Sequence, residues 1–459
     1  MAEATVFDLP AGDVTLDSTR PFVAPTAGTM AKVVRPARGR TGTETIVIPS
    51  EQAGVNAKYQ RRHQYLEPRK GSKPSAAFFR AENETVFELE QDTIIPREMV
   101  LEFSVVNDHG SSAMTLADVQ RWFVVEEKAE NGSVQVSASE PFMAWVMEGM
   151  SVEDEERAAK SAVTGTTSAL LGMTLAAGDV KRVCVKLRSN HANMVDAFPI
   201  VPGTMKDKKY QIVVRTVSGG VLNAGPAAIT DLSLVADTMR LRLTGRDLSA
   251  TAQTQVDRIF AGVRTPPAVR FYQWLRWDGT VTLTGDKETV IDPQLPECRI
   301  GSVCLWVGVS STAEPDDCTE LRSTWLGDNS TFTLRDRQSE SLLGQEITFS
   351  DVKHTMLPHM ARSMAYLTGD GTEPAAGDND PYNALLIPLS GGNPIDQENT
   401  GIQTQGVIQW VKSNRVVIKP DPDFGAASSR RVTLFFQVPH EVVRKNGVHG
   451  ARAVIHHVK

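Results

Sequence analysis

The stretch Tyr382–Pro420, YNALLIPLSGGNPIDQENTGIQTQGVIQWVKSNRVVIKP, decides how this chain is read. Three apolar bursts, Ala384–Leu389, Val407–Val411 and Val416–Ile418, are separated by Gly, Pro, Asn, Asp and Thr. Short apolar runs punctuated by turn formers build antiparallel strands joined by ordered turns. The linking Ser-Gly-Gly-Asn-Pro and Glu-Asn-Thr-Gly hold no general acid, nucleophile or ligand set, so the segment is connecting architecture. A long β protein without a visible reactive constellation is expected to bind or to build rather than to catalyse.

The same rhythm extends upstream in two series. The first begins at Thr85 with TVFELE, MVLEFSVV and WFVVEE, and continues through VKRVCVKLRS, AFPIVP, KYQIVVRTV and the stretch from Ile229 to Leu243. The second holds VRFYQWLRW, GTVTLTG, GSVCLWVGVS, STFTLRD and QEITFS, then the three bursts above, RRVTLFFQV and ARAVIHHV. Met143, Trp145 and Met147 alternate with Ala144 and Val146, the pattern of a strand packed on both faces. Ser151 followed by Asp154 predicts a short exposed helix over Ser151–Ala162, and Met356, Met360, Met364 and Leu367 predict another from Ser350 or Asp351 to Tyr366. Each series therefore has several strands, one helix midway, and an apolar burst containing Pro (AFPIVPG, LLIPLSG). This is duplication of an architecture, with too little identity to be a sequence repeat. Dense short strands favour antiparallel sandwiches over a parallel α/β sheet.

At 459 residues, two such units are the expected organisation. The reading gives an extended basic arm over 1–80, a first sandwich over 81–245, a connector over 246–268 and a second sandwich over 269–459. Residues 1–80 hold 12 Lys or Arg against 7 Asp or Glu, whereas the whole chain carries a net charge of −7, so a basic arm precedes an acidic body. No apolar run approaches the roughly 20 residues that span a bilayer. The first residues lack the basic and apolar regions of a secretory signal, so no signal-directed export is expected. Cys184, Cys298, Cys304 and Cys318 are too sparse for a disulfide framework and form no CxxC, and are read as reduced and mostly buried.

The search for chemistry yields little. No Walker loop, GxGxxG, GxSxG or HExxH occurs, so neither an enzyme nor a cofactor is expected. His354 and His359 flank Pro358 at a spacing that suits no helical or strand ligand pair, and His456–His457 alternate across a strand. Asp370, Asp378 and Asp380 in the loop Gly369–Asp380 could face a Ca²⁺ ion, but the spacing is not that of an EF-hand and a solvated turn is the simpler reading. Trp274 and Trp277, three apart on a strand, point to opposite faces and are read as core or interface packing. The basic arm offers Lys32, Arg35, Arg38, Arg40, Lys58, Arg61 and Arg62. They could neutralise nucleic-acid phosphates, meet an anionic membrane surface, or belong to a strap that prolines hold extended along a neighbouring subunit; the strap is favoured.

Taken together, the chain resembles the double jelly-roll major capsid proteins of tailless double-stranded DNA viruses, the PRD1-adenovirus-like lineage that includes virophages and polinton-like viruses. The residues that carry the likeness are AFPIVPGTMKDKKYQIVVRT in the first series, and FTLRDRQSESLLGQEITF, NALLIPLSGGNPIDQENTGIQTQGVIQW and RVVIKP in the second. The LIPLS burst, its loop, Thr400-Gly401 and the next strand are similar to the corresponding stretch of several such proteins. The resemblance implies a mainly β chain of two antiparallel β-sandwiches with short helical insertions. It further implies a homotrimer of pseudo-hexagonal outline tiling an icosahedral shell, assembled in the host cell interior. Implied partners are the chain itself, penton and minor capsid proteins, and an inner membrane or genome reached by the arm. A permanent trimer interface of this kind should bury upward of about 2,000 Å² and be mostly apolar. Set against it stand a two-domain β-sandwich binding module of lectin or adhesin type, and a β-sandwich hydrolase.

Overall fold

Leu101, Phe103 and Val105 alternate along the chain with Glu102, Ser104 and Val106. In the computed structural model the first three are wholly buried, and Ser104 and Val106 are partly exposed on the other side of a strand. That period of two recurs throughout and gives a β protein. The structure describes residues 30–36, 43–49, 61–80, 83–90, 94–129, 134–151, 173–187, 209–217, 222–224, 227–247, 269–316, 323–343, 346–352, 376–377, 384–389, 408–445 and 448–453.

In the first half the strands are β1 (Met30–Pro36), β2 (Thr43–Pro49), β3 (Arg61–Leu66), β4 (Glu84–Glu90), β5 (Ile94–Asn107), β6 (Met114–Leu116), β7 (Phe123–Ala129) and β8 (Val134–Ala138). After the helix α1 (Pro141–Ser151) follow β9 (Met173–Leu175), β10 (Val180–Lys186), β11 (Lys209–Thr216), β12 (Leu222–Ala224), β13 (Leu232–Leu234) and β14 (Arg240–Asp247). The second half runs through β15 (Val269–Leu283), β16 (Thr289–Ile291), β17 (Cys298–Ile300), β18 (Ser302–Val307), β19 (Thr331–Arg335) and β20 (Ile347–Thr348). It closes with β21 (Ala384–Pro388), β22 (Ile408–Trp410), β23 (Arg415–Lys419), β24 (Ser428–Lys445) and β25 (Val448–Ala453).

The pairing is antiparallel and follows one plan twice. In the first half one sheet has the order β3–β14–β5–β10 and its partner the order β4–β11–β7–β8. In the second half the orders are β15–β24–β18–β21 and β16–β23–β19–β20. Number the principal strands of either half in chain order. One sheet then reads first, eighth, third, sixth, and the other second, seventh, fourth, fifth. Two interlocked Greek keys of eight strands give this order, which is a jelly roll. β13 adds to β5, β25 adds to β24, and β12–β6–β9 and β17–β22 form small accessory sheets.

Each half encloses its own core. Phe79, Phe103, Trp122 and Phe123 meet at the first, with ring centroids 5.5 Å apart for Phe79–Trp122 and 5.7 Å for Phe103–Phe123. Trp122 buries its ring and donates its indole N–H to the Ala117 carbonyl at 2.9 Å, so no polar atom is stranded there. The second core packs Trp410 on Phe436 (5.6 Å) and Trp325 on Phe349 (5.7 Å). Cys298 and Cys304 are buried free thiols in it, and burial pushes the Cys298 thiol up to about 12 and the Cys304 thiol higher still. Neither ionises near neutrality, so both are packing residues.

A turn beside this core depends on one glycine. Gly327 has φ of +102°, and an added Cβ would lie 2.3 Å from the Cβ of Asp421. Asp421 in turn accepts from the Asn329 amide (2.9 Å) and caps the short 3-10 turn Pro422–Phe424 through the Asp423 amide (3.0 Å). Gly327→Ala is expected to cost about 2 kcal/mol of stability through backbone strain and the displaced carboxylate. Urea titration would show this, and an unchanged midpoint would refute it.

Three readings of the sequence need correction. The alternation of Met143, Trp145 and Met147 is not a strand: Pro141–Ser151 is helical, and its buried residues Phe142, Met143, Trp145 and Val146 follow the helical spacing i, i+3, i+4. The helix expected over Ser151–Ala162 lies, beyond Ser151, outside the described residues. The arm is shorter and more structured than expected, since β1 and β2 pair as a hairpin and β3 joins the first sandwich against β14. VRFYQWLRW and GTVTLTG are one strand, β15, which pairs with β24 from Val269 to Leu283. The predicted helix from 350 has only its first turn, Phe349–Val352, among the described residues. AFPIVP, the connector from 248 to 268, Cys318, His354, His359, His456–His457, and Asp370, Asp378 and Asp380 lie outside the described residues.

Candidate functional site

The feature that distinguishes this chain from two separate sandwiches is how α1 is used. Glu140 precedes the helix and its side chain accepts the Phe142 backbone N–H; Pro141 occupies the first helical position, where its missing N–H leaves no gap. The helix belongs to the first half, in the connection from β8 to β10. Its buried residues nevertheless join the core cluster of the second half. Phe142 stacks flat on Phe435 of β24 (5.1 Å between centroids, 15° between planes) and meets Trp306 of β18 edge-on at 6.5 Å. Phe435 and Trp306 lie on the outer face of the second sheet, since Leu434 and Phe436, its neighbours along β24, face the core.

Arg121, in the 3-10 turn Val119–Arg121, lies over Trp145 (5.3 Å) and Phe142 (5.9 Å) and donates to the Pro315 carbonyl of the second half. The guanidinium thus joins α1 to both halves. It is a buried cation whose charge is met by aromatic faces and a carbonyl.

Beside this aromatic contact sits a cluster of charges. Arg276 of β15 donates to Asp278 (2.7 Å) and to Asp316, lies 5.8 Å from the Phe435 ring centroid, and has Glu140 at 3.9 Å. Thr433 donates to the other oxygen of Asp278 at 2.7 Å. Burial alone would lower the Arg276 pKa, but Asp316 and Asp278 outweigh it and raise it. Glu140 is the unbalanced member: burial and the Asp316 charge push its carboxyl up to about 7, against the smaller opposing pull of Arg276. Its Oε1 has no hydrogen-bond partner among the described residues.

The seam joins the two halves through aromatic packing and ion pairs. Among the described residues no group of three His, Cys, Asp or Glu could hold a metal ion, and no helix is long and apolar enough to cross a membrane. The buried pair Tyr210–Glu127 joins β11 to β7 within one sheet; burial and the adjacent carboxylate raise the phenol well above its usual range.

Of the seven basic residues that the sequence offers, four lie among the described residues. Lys32 and Arg35 lie on β1, opposite Val47 and Glu44 of β2. Arg61 and Arg62 lie on β3, opposite Arg246 and Gly245 of β14. Arg38, Arg40 and Lys58 fall outside the described residues. The residues that make the seam, Glu140, Phe142, Arg121 and Arg276, were not singled out. Pro141 after an acidic residue, with Phe142, Trp145 and Val146 at helical spacing, is the sequence signal that marks them.

Comparison with known proteins supports the topology. No family model and no curated protein matches this sequence. Solved structures do match. A quasi-atomic model of the PBCV-1 virus capsid aligns at a TM-score of 0.57 over 86% of this chain and 96% of that one, at 10% identity. The chain has the fold of double jelly-roll capsid proteins. A PBCV-1 VP54 crystal structure, fitted into a reconstruction of the virophage Sputnik, gives 0.53 over 86% of this chain and 97% of that one, at 10% identity. The Faustovirus major capsid protein gives 0.51 over 84% of this chain and 90% of that one, at 8% identity. Since identity is this low while coverage is nearly complete, the strand plan is what these double jelly rolls share.

Proposed function

We propose that this chain is a structural subunit of a virion shell, a major capsid protein that associates with itself into trimers of pseudo-hexagonal outline. The observation that carries the proposal is the pair of jelly rolls locked by α1 into one rigid relation. A chain holding two like units in a fixed relation can repeat that relation with copies of itself, and three chains then close a ring of six units. The comparisons support it through the capsid proteins that share both jelly rolls along nearly their whole length. The proposed division is an arm ahead of Arg61, a sandwich on each side of the segment 248–268, and a C-terminal hairpin β24–β25. Lys32, Arg35, Arg38, Arg40 and Lys58 would act with the arm as a strap along a neighbouring subunit or toward the shell interior. Penton and minor capsid proteins are the further partners such a shell requires.

Light scattering of the purified chain tests the reading. The expected result is a stable species near three times 50.0 kDa, or closed shells visible by electron microscopy. A monomer whose mass does not change with concentration would overturn it and favour a β-sandwich binding module.

A further inference from the structure

We propose that the seam between the two jelly rolls is a proton-operated latch: α1 lies closed on the second sandwich while Glu140 is neutral and opens from it once Glu140 is charged. This regulation goes beyond the subunit reading and does not depend on whether the chain assembles.

Glu140 stands where the first half enters the seam, two residues ahead of the Phe142 ring that stacks on Phe435 of β24. Its side chain is 17% exposed, but Oε1 itself is closed off from solvent and accepts no hydrogen bond among the described residues. The carboxyl accepts from the Phe142 amide, within its own segment. A carboxyl of the first half is thus pressed against the second half, which gives it no hydrogen bond among the described residues.

The charged groups described around it come from both halves. β15 brings Arg276 and Asp278, the segment after β18 brings Glu314 and Asp316, β24 brings Arg431, and the 3-10 turn before β7 brings Arg121. Each of these cations is already held by other acceptors. Arg276 donates to Asp278 (2.7 Å) and to Asp316, and its Nη1 stays 3.9 Å from Glu140. Arg431 lies 3.7 Å from Glu314 and 3.9 Å from Asp278. Arg121 meets the Phe142 and Trp145 rings and the Pro315 carbonyl. A charge on Glu140 therefore faces Asp316 and Asp278 across the seam. Burial and then Asp316 push the carboxyl up to about 7, with a smaller push from Asp278, against the weaker pulls of Arg276 and the Phe142 amide.

The closed state is also costly one row along the same face. Trp274 of β15, Gln437 of β24 and Ser302 of β18 lie side by side, with Gln437 two residues beyond Phe435. Gln437 and Ser302 are wholly buried, and Trp274 nearly so. Among the described residues nothing bonds the Trp274 indole N–H, either amide atom of Gln437 or the Ser302 hydroxyl. Buried polar atoms without partners favour any state in which water reaches them. Aromatic stacking closes the seam against that cost, so one added charge shifts the balance.

The direction follows from linkage. In the open state Glu140 titrates near its ordinary 4.5, and in the closed state near 7. Proton binding therefore favours the closed state fully below the open value, progressively less through the interval, and no longer above the closed value.

Hydrogen exchange of the full chain, read from pH 5 to pH 8 and corrected for intrinsic rates, tests the latch. Backbone amides of α1 are expected to exchange faster than those of β5 and β19 throughout, as local opening requires. Their protection should fall about fiftyfold between pH 5 and pH 8, the ratio implied by 4.5 open and about 7 closed. Glu140→Gln should keep the high protection across the range. Asp316→Asn, which frees the Arg276 Nη1 for Glu140, should move the fall to lower pH by about one unit. Exchange of α1 amides no faster than that of core amides would mean that the helix opens only with the whole fold, and overturns the proposal. A fall that survives Glu140→Gln, or that Asp316→Asn leaves unshifted, overturns it too. None of these outcomes bears on the subunit reading, which light scattering decides.

Discussion

Phe142→Ala is expected to lower the stability of the chain by about 3–5 kcal/mol and to separate its unfolding into two steps. The ring is 4% exposed and lies flat on Phe435, edge-on to Trp306 and tilted against Trp145 at 5.8 Å. Deleting it removes contacts from both sandwiches at once and leaves a void that rigid strands cannot collapse to fill. It also removes one of the two rings that meet the buried Arg121 guanidinium. Cores elsewhere are enclosed by their own sheets, so each sandwich retains its fold while the link between them weakens. Differential scanning calorimetry reads both effects. Phe142→Leu, which keeps most of the volume, should retain a single transition. A loss below about 1 kcal/mol with one transition would mean that α1 does not hold the sandwiches together.

That helix is also where sequence and structure part company, for a physical reason. Within Phe142–Met147 all six residues are apolar, so alternation and helical spacing fit equally well and periodicity cannot decide between them. Pro141 was the tie-breaker, since it suits the first turn of a helix far better than the middle of a strand. By contrast, the stretch Tyr382–Pro420 was legible because its apolar bursts are short and bounded. They fold as β21, β22 and β23, within a residue or two of their expected limits. RRVTLFFQV was legible for type but not for length, because β24 extends over Ser428–Lys445, across Pro439. Pro439 lies opposite Tyr272 of β15, between the last β18 pairing at Gln437 and the first β25 pairing at His440, where the edge of β24 passes from one partner to the other. The joining of VRFYQWLRW to GTVTLTG was hidden by Asp278-Gly279, which reads as a turn. In the fold, Gly279 pairs with Val432, and the Trp277 ring occupies the space a side chain would need, 2.4 Å from where its Cβ would sit. The seam residues were illegible for a different reason: Glu140, Arg276, Asp278 and Asp316 are far apart in sequence, and only the jelly-roll topology brings them together.

Stability should fall as pH rises from about 4.5 to 7, and Glu140→Gln should remove most of that slope. The unfolded carboxyl titrates near its ordinary value of 4.5, whereas in the fold it is pushed up to about 7 by burial and by Asp316, with a smaller push from Asp278. A group with a raised folded pKa binds more protons in the native state. Its contribution is therefore complete below the unfolded value, declines through the interval, and is gone once pH passes the folded value. At 1.36 kcal/mol per unit, the full excursion is worth up to about 3 kcal/mol. The cause is geometric: Arg276 spends its hydrogen bonds on Asp278 and Asp316, and its Nη1 stays 3.9 Å from Glu140 Oε1. A neutral glutamine holds the shape without the charge, and Arg276 keeps both aspartates. Denaturant titrations at pH 5 and pH 8 should give the variant nearly equal stabilities, and at pH 8 it should exceed the wild type by about 1–3 kcal/mol. Parallel pH slopes for the two proteins would show that Glu140 ionises without cost, so that the seam between the sandwiches does not respond to protons.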